Sequence, residues 1–351
     1  MKSLSALTAV AAASCLALPA MGQASGEVRV AGSSTVFPIS TFVAEQFKQL
    51  EPGVEVPVAK IGTGGGFKEF TAGSTDASNA SRPIKASEAQ AAKDNNIEFV
   101  ESLVAYDGLS IVINKDNDWA REMTVEDLQK IFLADATAQS WKDVNPEFPD
   151  VPLKVYIPAE TSGTYDYFAE VVADKGSLRG TSVGENDNLT VTGVADNKGA
   201  IGFLGYAYFE ENEDKLTAVA IQNEAGDYVL PNPESIESGS YNPFSRPLFV
   251  YWNASSLDRT EVNEFAEFFL DVAPTAAEEV GYVRLPSWVY DAMTQRLRER
   301  TTGSIYYNDD MEPQHGTLKE LLGEGSDGPD DMMEKAGATV KTKTMKDGHD
   351  H

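Results

Sequence analysis

Residues 152–172 read PLKVYIPAETSGTYDYFAEVV. A short strand runs into a polar turn of Ser, Gly and Thr, and a helix follows whose buried stripe is Tyr165, Phe168 and Val172. The same device recurs. VRVAG at 28–32 passes through GSST at 32–35 into ISTFVAEQFKQL, where Ile39, Val43 and Phe47 fall on one face. PGVEVPVAKIG ends in the glycine-rich GTGGG at 62–66 ahead of the helical FKEFTAG, and ASRP at 80–83 stands just before a further helix. LVAYDGLSIVIN and RPLFVYWN read as apolar strands, whereas MTVEDLQKIFL, VNEFAEFFLDVA and PSWVYDAMTQRLRERT read as helices. This alternation predicts an α/β protein with at least partly parallel sheets. Open sheets of that kind bind ligands at the carboxyl ends of their strands, so turns from two lobes converge on one cleft.

At 351 residues the chain is long enough for two lobes, each with its own core. It opens with MKSLSALTAVAAASCLALPAMGQA: one lysine, an apolar run, then small residues suited to cleavage after Gly22 or Ala24. That is the layout of a secretory signal peptide over residues 1–24. Its Cys15 is the only cysteine, so the mature chain has no disulfide, thiolate nucleophile or Cys-based metal site. AASC loosely resembles a lipidation site, but the apolar run continues past it. Residues 309–351, mixed in charge and poor in aromatics, read mostly as a disordered tail. The tail holds all three histidines, His315, His349 and His351, which leaves a Ser-His-Asp triad without its base. SGT is not the GxSxG elbow either, so a hydrolase here would have to work without histidine. GHDH near the end fits a solvated terminus better than a metal site.

The four turns share a chemistry. Backbone amides at a helix start, joined by Ser and Thr hydroxyls, form the kind of donor cluster that anions occupy. Any one of them is also what ordinary capping looks like; four together point to a ligand. GTGGGFKEF is not a nucleotide loop, because Phe67 stands where the dinucleotide fingerprint needs glycine, and Lys68 is not followed by Ser or Thr. Arg82 is the one cation within these turns, able to grip two oxygens of a tetrahedral anion or to pair with a nearby carboxylate. The charge balance opposes this reading: 55 acidic residues face 28 basic ones, a formal −27. Salt screens that field within roughly 8 to 10 Å, whereas aimed donors act at contact. Local donors prevail.

GSSTVFP, GTGGGFKEF, ASRPI, SGTYDYF and GAIGFLGYAYF occur in the order found in the periplasmic phosphate-binding proteins of phosphate ABC transporters, the PstS family. The chain resembles that family from about Val28 to Asn308, and SRPLF and SGTYDYF look like its SphX-type branch. The resemblance implies a two-lobed type II periplasmic binding fold with the ligand buried between lobes, residues 25–106 plus 246–308 forming one and 107–245 the other. It implies that Ser34, Thr35 and the Val36 amide contact phosphate from the first turn, Thr63 from the glycine loop, Ser81 and Arg82 from the third, and Ser162, Gly163 and Thr164 from the other lobe. It also implies a periplasmic, monomeric binding protein that works with a membrane permease and uses no cofactor, metal or nucleic acid.

Two departures stand out. Better-known members carry an arginine four residues before the SGT serine, where this chain has Pro158, and their proton-accepting aspartate aligns with Ser81. Arg82 is the expected replacement for the cation. Hydrogen phosphate carries a proton that sulfate lacks, so a buried carboxylate accepts from one and repels the other, and an unpaired buried group penalises the wrong ligand. Asp107 is the expected acceptor, followed by Glu160, with Asp187 outside them and Asp76 bracing its own loop. Sulfate, molybdate or another oxyanion is the alternative ligand.

Overall fold

A computed structural model describes residues 25–160, 162–184, 186–308, 311–314 and 318–323. The proposed signal peptide with Cys15, the three histidines and most of the expected tail lie outside those residues. Sixteen consecutive residues, Phe99–Asn114, form one strand in which every residue is buried. Such a strand needs cover on both faces, which an α/β layering supplies.

This strand is shared by two half-sheets. Its first part, Phe99 to Gly108, pairs antiparallel with Ser245–Asn253, and beyond that lie Ala77–Ala80, Val30–Gly32 and Val58–Lys60. Its last part, Leu109 to Asn114, pairs antiparallel with Ala200–Gly205 and Leu216–Ala218, and beyond Ala200–Gly205 lie Lys154–Ile157 and Thr181–Ser182. Val30–Gly32 and Lys154–Ile157 are each parallel to both neighbours, so the sheet is mixed, as the alternation predicts. Both lead through a Ser/Thr/Gly turn into a helix, Phe37–Leu50 in one half and Gly163–Ala173 in the other.

Each half has its own aromatic core. Trp252, Phe265, Phe269 and Phe47 pack mostly edge to face in the first. In the second, Phe168 stacks on Phe203 with centroids 3.9 Å apart, and Phe132 meets both edge-on. Tyr165, Phe168 and Val172 are buried as their spacing predicts, and so are Tyr167 and Ala169, because this helix meets the core on one side and the cleft on another. The glycine run differs from expectation. Gly64, Gly65 and Gly66 belong to the helix Thr63–Thr71 rather than to a loop before it. A Cβ on Gly66 would stand 2.5 Å from Gly32 Cα and 3.0 Å from the Ala31 carbonyl, so glycine lets this helix lie directly on the strand. Among the described residues no helix is long and apolar enough to cross a membrane.

Candidate functional site

The first turn is fixed by its neighbours. Gly32 has φ +144°, and a Cβ there would sit 2.1 Å from the Asn79 carbonyl oxygen, so only glycine fits. Ser33 donates its amide to that same oxygen at 2.9 Å, and its Oγ accepts from the amides of Thr35 at 3.1 Å and Val36 at 3.4 Å. Val36 is the N-cap of Phe37–Leu50 and has no side-chain cap of its own. The second and third turns are joined: Thr63 Oγ1 lies 3.0 Å from Ser81 Oγ and accepts the Ser81 amide at 3.2 Å. Ser162 caps the fourth, its Oγ accepting from the Thr164 amide at 3.2 Å.

These turns face one another. A Cβ on Gly163 would lie 3.7 Å from Thr35 Cα and 3.8 Å from the Ser34 carbonyl oxygen, which places the fourth turn against the first. Ser34, Thr35, Thr63, Ser81 and Arg82 line one cavity of about 680 Å³, together with Lys85, Asp166, Glu170, Lys175 and Arg246. A larger cavity of about 840 Å³ lies elsewhere, lined by Glu210, Glu211, Glu237, Asp271, Glu278 and Asp291, with Arg284 the only cation among its described lining residues. Its charge is wrong for an anion.

Arg246 organises the smaller cavity. Its Nε and Nη2 both donate to Asp107 Oδ2 at 3.2 Å, Nη2 also donates to Thr35 Oγ1 at 2.7 Å, and Nη1 reaches Glu170 Oε2 at 3.3 Å. The guanidinium lies over the Tyr167 ring, 3.4 Å from its centre, and Tyr167 is held by a hydrogen bond from its hydroxyl to the Pro243 carbonyl. Arg246 is 13% exposed and Asp107 4%. Burial pushes the Asp107 carboxyl up, and the charge and hydrogen bonds of Arg246 pull against it. Both bonds land on Oδ2, which leaves Oδ1 for another donor.

Arg82 is placed differently. Its Nη1 and Nη2 grip Glu88 at 2.9 and 2.8 Å, and Nη1 also donates to the Pro83 carbonyl. The Glu88 hydrogen bond holds the Arg82 guanidinium above its ordinary range. Glu160 and Asp187 do not line the cavity, and neither do Val36, Ser162, Gly163, Thr164 or Asp107; Asp107 is tied to it through Arg246. Asp76 braces its own region, accepting from the Arg29 amide at 2.8 Å, Ser256 Oγ at 2.9 Å and Arg259 Nη1 at 3.0 Å.

The family profile of the PBP superfamily domain matches residues 19–272. This chain belongs to the PBP superfamily. Within it, the protein is 42% identical to Protein SphX of Synechococcus elongatus over 83% of this chain and 86% of the relative. It is 40% identical to the phosphate-binding protein PstS of Staphylococcus saprophyticus, over 79% of this chain and 86% of that one. Among solved structures it is similar to a possible phosphate binding protein from Planctomyces limnophilus, with 47% identity, a TM-score of 0.76, and coverage of 79% of this chain and 99% of the other. An ABC-type phosphate transport receptor from Vibrio cholerae matches at 25% identity and a TM-score of 0.57, over 74% and 100%. The two-lobed α/β architecture of this PBP member is therefore the family's.

Sequence reasoning missed Arg246, Tyr167, Glu170 and Lys175. A signal for Arg246 was present: Ser-Arg-Pro occurs at 81–83 and again at 245–247, the second time at the head of a buried strand. What puts Arg246 in the site is its register, opposite Asp107 in the antiparallel ladder. Among the described residues of this PBP member no group of three or more His, Cys, Asp or Glu is arranged to hold a metal ion.

Proposed function

We propose that this protein captures inorganic phosphate between its two lobes outside the cytoplasm and delivers it to the membrane permease of an ABC importer. The observation that carries the reading is the Arg246 guanidinium, partly buried where the two half-sheets meet and aimed by Asp107, Thr35 and Tyr167 into a cavity of Ser and Thr donors. Asp107, Thr35 and Glu170 take four of its five N–H donors, so an oxyanion takes the remaining Nη1 proton and displaces the half-exposed Glu170 carboxylate from the other; hydrogen bonds to a charged group are the strong ones. Ser34, Thr35, Val36, Thr63, Ser81, Ser162, Gly163 and Thr164 supply neutral donors, with Arg246 the principal cation and Arg82 an outer one. Asp107 accepts the proton of hydrogen phosphate on Oδ1.

The lobes are residues 25–106 with 246–308, and 107–245. Both crossings then fall at the Arg246–Asp107 pair, so lobe closure and ligand contact share one pivot. Residues 1–24 direct export and are removed, and the protein acts as a monomer that binds no nucleic acid and turns over no substrate. Competition calorimetry tests the reading. Phosphate should bind with sulfate unable to displace it at a hundredfold excess, and equal displacement by sulfate would refute it.

A further inference from the structure

The turn that carries Ser81 and Arg82 runs into Ile84, whose amide donates to a side chain in the core, the Tyr251 hydroxyl, at 2.9 Å. Tyr251 is fully buried on the strand Ser245–Asn253, and its hydroxyl donates in turn to Glu101 Oε2 at 2.7 Å. Glu101 is fully buried on the long central strand. It accepts two further hydrogen bonds, from Ser304 Oγ on Oε2 at 2.9 Å and from the Ile305 amide on Oε1 at 2.7 Å. One phenol thus serves as acceptor for the turn and as donor to a carboxylate whose other partners come from residues 304 and 305.

The ring is fixed as firmly as the hydroxyl. Phe67 and Phe99 meet it edge-on with centroids 4.9 and 5.6 Å away, and Phe67 belongs to the helix that starts at Thr63. The Arg82 guanidinium lies 5.5 Å from the centre of that same Phe67 ring. Two of the four cavity turns therefore rest on Tyr251, one through its ring and one through its oxygen. Abandoning either hydrogen bond would leave a buried polar group unpaired, so the network allows the hydroxyl one orientation.

We infer that Tyr251 is a positioning residue for anion binding: its hydroxyl holds the Ser81–Ile84 turn in place, and Glu101, anchored by Ser304 and Ile305, fixes that hydroxyl from the far side. The affinity readout of this inference rests on the phosphate reading; the placement of the turn does not.

Tyr251→Phe keeps the ring and removes the oxygen. Tyr290→Phe is the control, because Tyr290 is also buried in the same half of the molecule, accepting from the Leu285 amide at 3.2 Å and donating to the Val104 carbonyl at 3.0 Å, away from the turn. Amide exchange at 81–84 and calorimetric phosphate binding are measured on both. Tyr251→Phe should speed exchange across 81–84 at least about tenfold and weaken phosphate about five- to tenfold, the size of a lost hydrogen bond. Tyr290→Phe should change neither by more than about twofold. Unchanged exchange at 81–84 in Tyr251→Phe, or equal losses in both variants, overturns the inference. Should Tyr251→Phe not fold, Ser304→Ala removes one Glu101 donor and leaves the phenol intact; exchange at 81–84 should then rise about two- to threefold, and no rise overturns the inference. A wild type that binds no phosphate would refute the functional reading instead, and the exchange data would decide the positioning role alone.

Discussion

Ser81-Arg82-Pro83 and Ser245-Arg246-Pro247 are the same tripeptide in two settings. The first follows a four-residue strand, and its arginine turns to Glu88, six residues on, where 30% of its side chain stays exposed. The second opens a nine-residue strand whose ladder partner is Asp107, 139 positions away, and its arginine is 13% exposed. A local carboxylate satisfies the first cation; tertiary register satisfies the second and points it into the cavity. An arginine next to a binding-type turn is therefore not enough to define the anion's partner. What matters is where the fold points the guanidinium and how dry its surroundings are.

That contrast is easiest to break at its strong end. Truncating one partner of a buried, hydrogen-bonded charge pair costs about 2–5 kcal/mol in binding, so Arg246→Ala should weaken phosphate at least about thirtyfold by calorimetry. Asp107→Asn comes next. It keeps the shape, removes the acceptor and supplies a donor in its place, so the preference for phosphate over sulfate should fall by roughly tenfold or more. Preserved selectivity in competition titrations would move the acceptor role to another carboxylate. Arg82→Ala should cost less, about fivefold or below, because its pair with Glu88 is part-exposed and such pairs contribute little, ~0–1 kcal/mol. A larger loss for Arg82→Ala than for Arg246→Ala would invert the comparison.

The turns were legible because each lies at a strand-to-helix junction and every residue that makes it is within a few positions. Ser34, Thr35, Thr63, Ser81 and Arg82 come together on one cavity, and Gly163 stands against Thr35, through local chemistry repeated four times. Arg246 was not legible as a site residue. Its partner is chosen by ladder pairing with a strand far back in the chain, and a one-residue slip would have sent the side chain to the other face. The start of the glycine helix was hidden for a similar reason: Gly66 is glycine because Gly32 and Ala31 press on it, and that approach exists only in the folded sheet. Tyr167 falls outside the Tyr165, Phe168 and Val172 stripe, and nothing in its spacing marks a ring that carries a guanidinium.

The smallest expected effect concerns the other buried carboxylate. Burial raises the Glu101 carboxyl above its ordinary range while three hydrogen bonds and the nearby Arg296 oppose the shift. A raised pKa in the folded state means that the fold binds this proton more tightly than the unfolded chain does. The stability it contributes is complete below the ordinary glutamate value, ~4.3, and is lost as pH rises through the raised value. The stability of wild type relative to Glu101→Gln should accordingly decline with rising pH in denaturant titrations. A difference that is flat or grows with pH would mean that the hydrogen bonds outweigh burial.

Which guanidinium holds the anion is read directly by a crystal structure of the protein grown with phosphate. Phosphate oxygens should lie within hydrogen-bond distance of Arg246 and Thr35 and of the turn at 162–164, with Arg82 still held by Glu88. An anion bound by a released Arg82, with Arg246 bonded only to Asp107, Thr35 and Glu170, would contradict that placement.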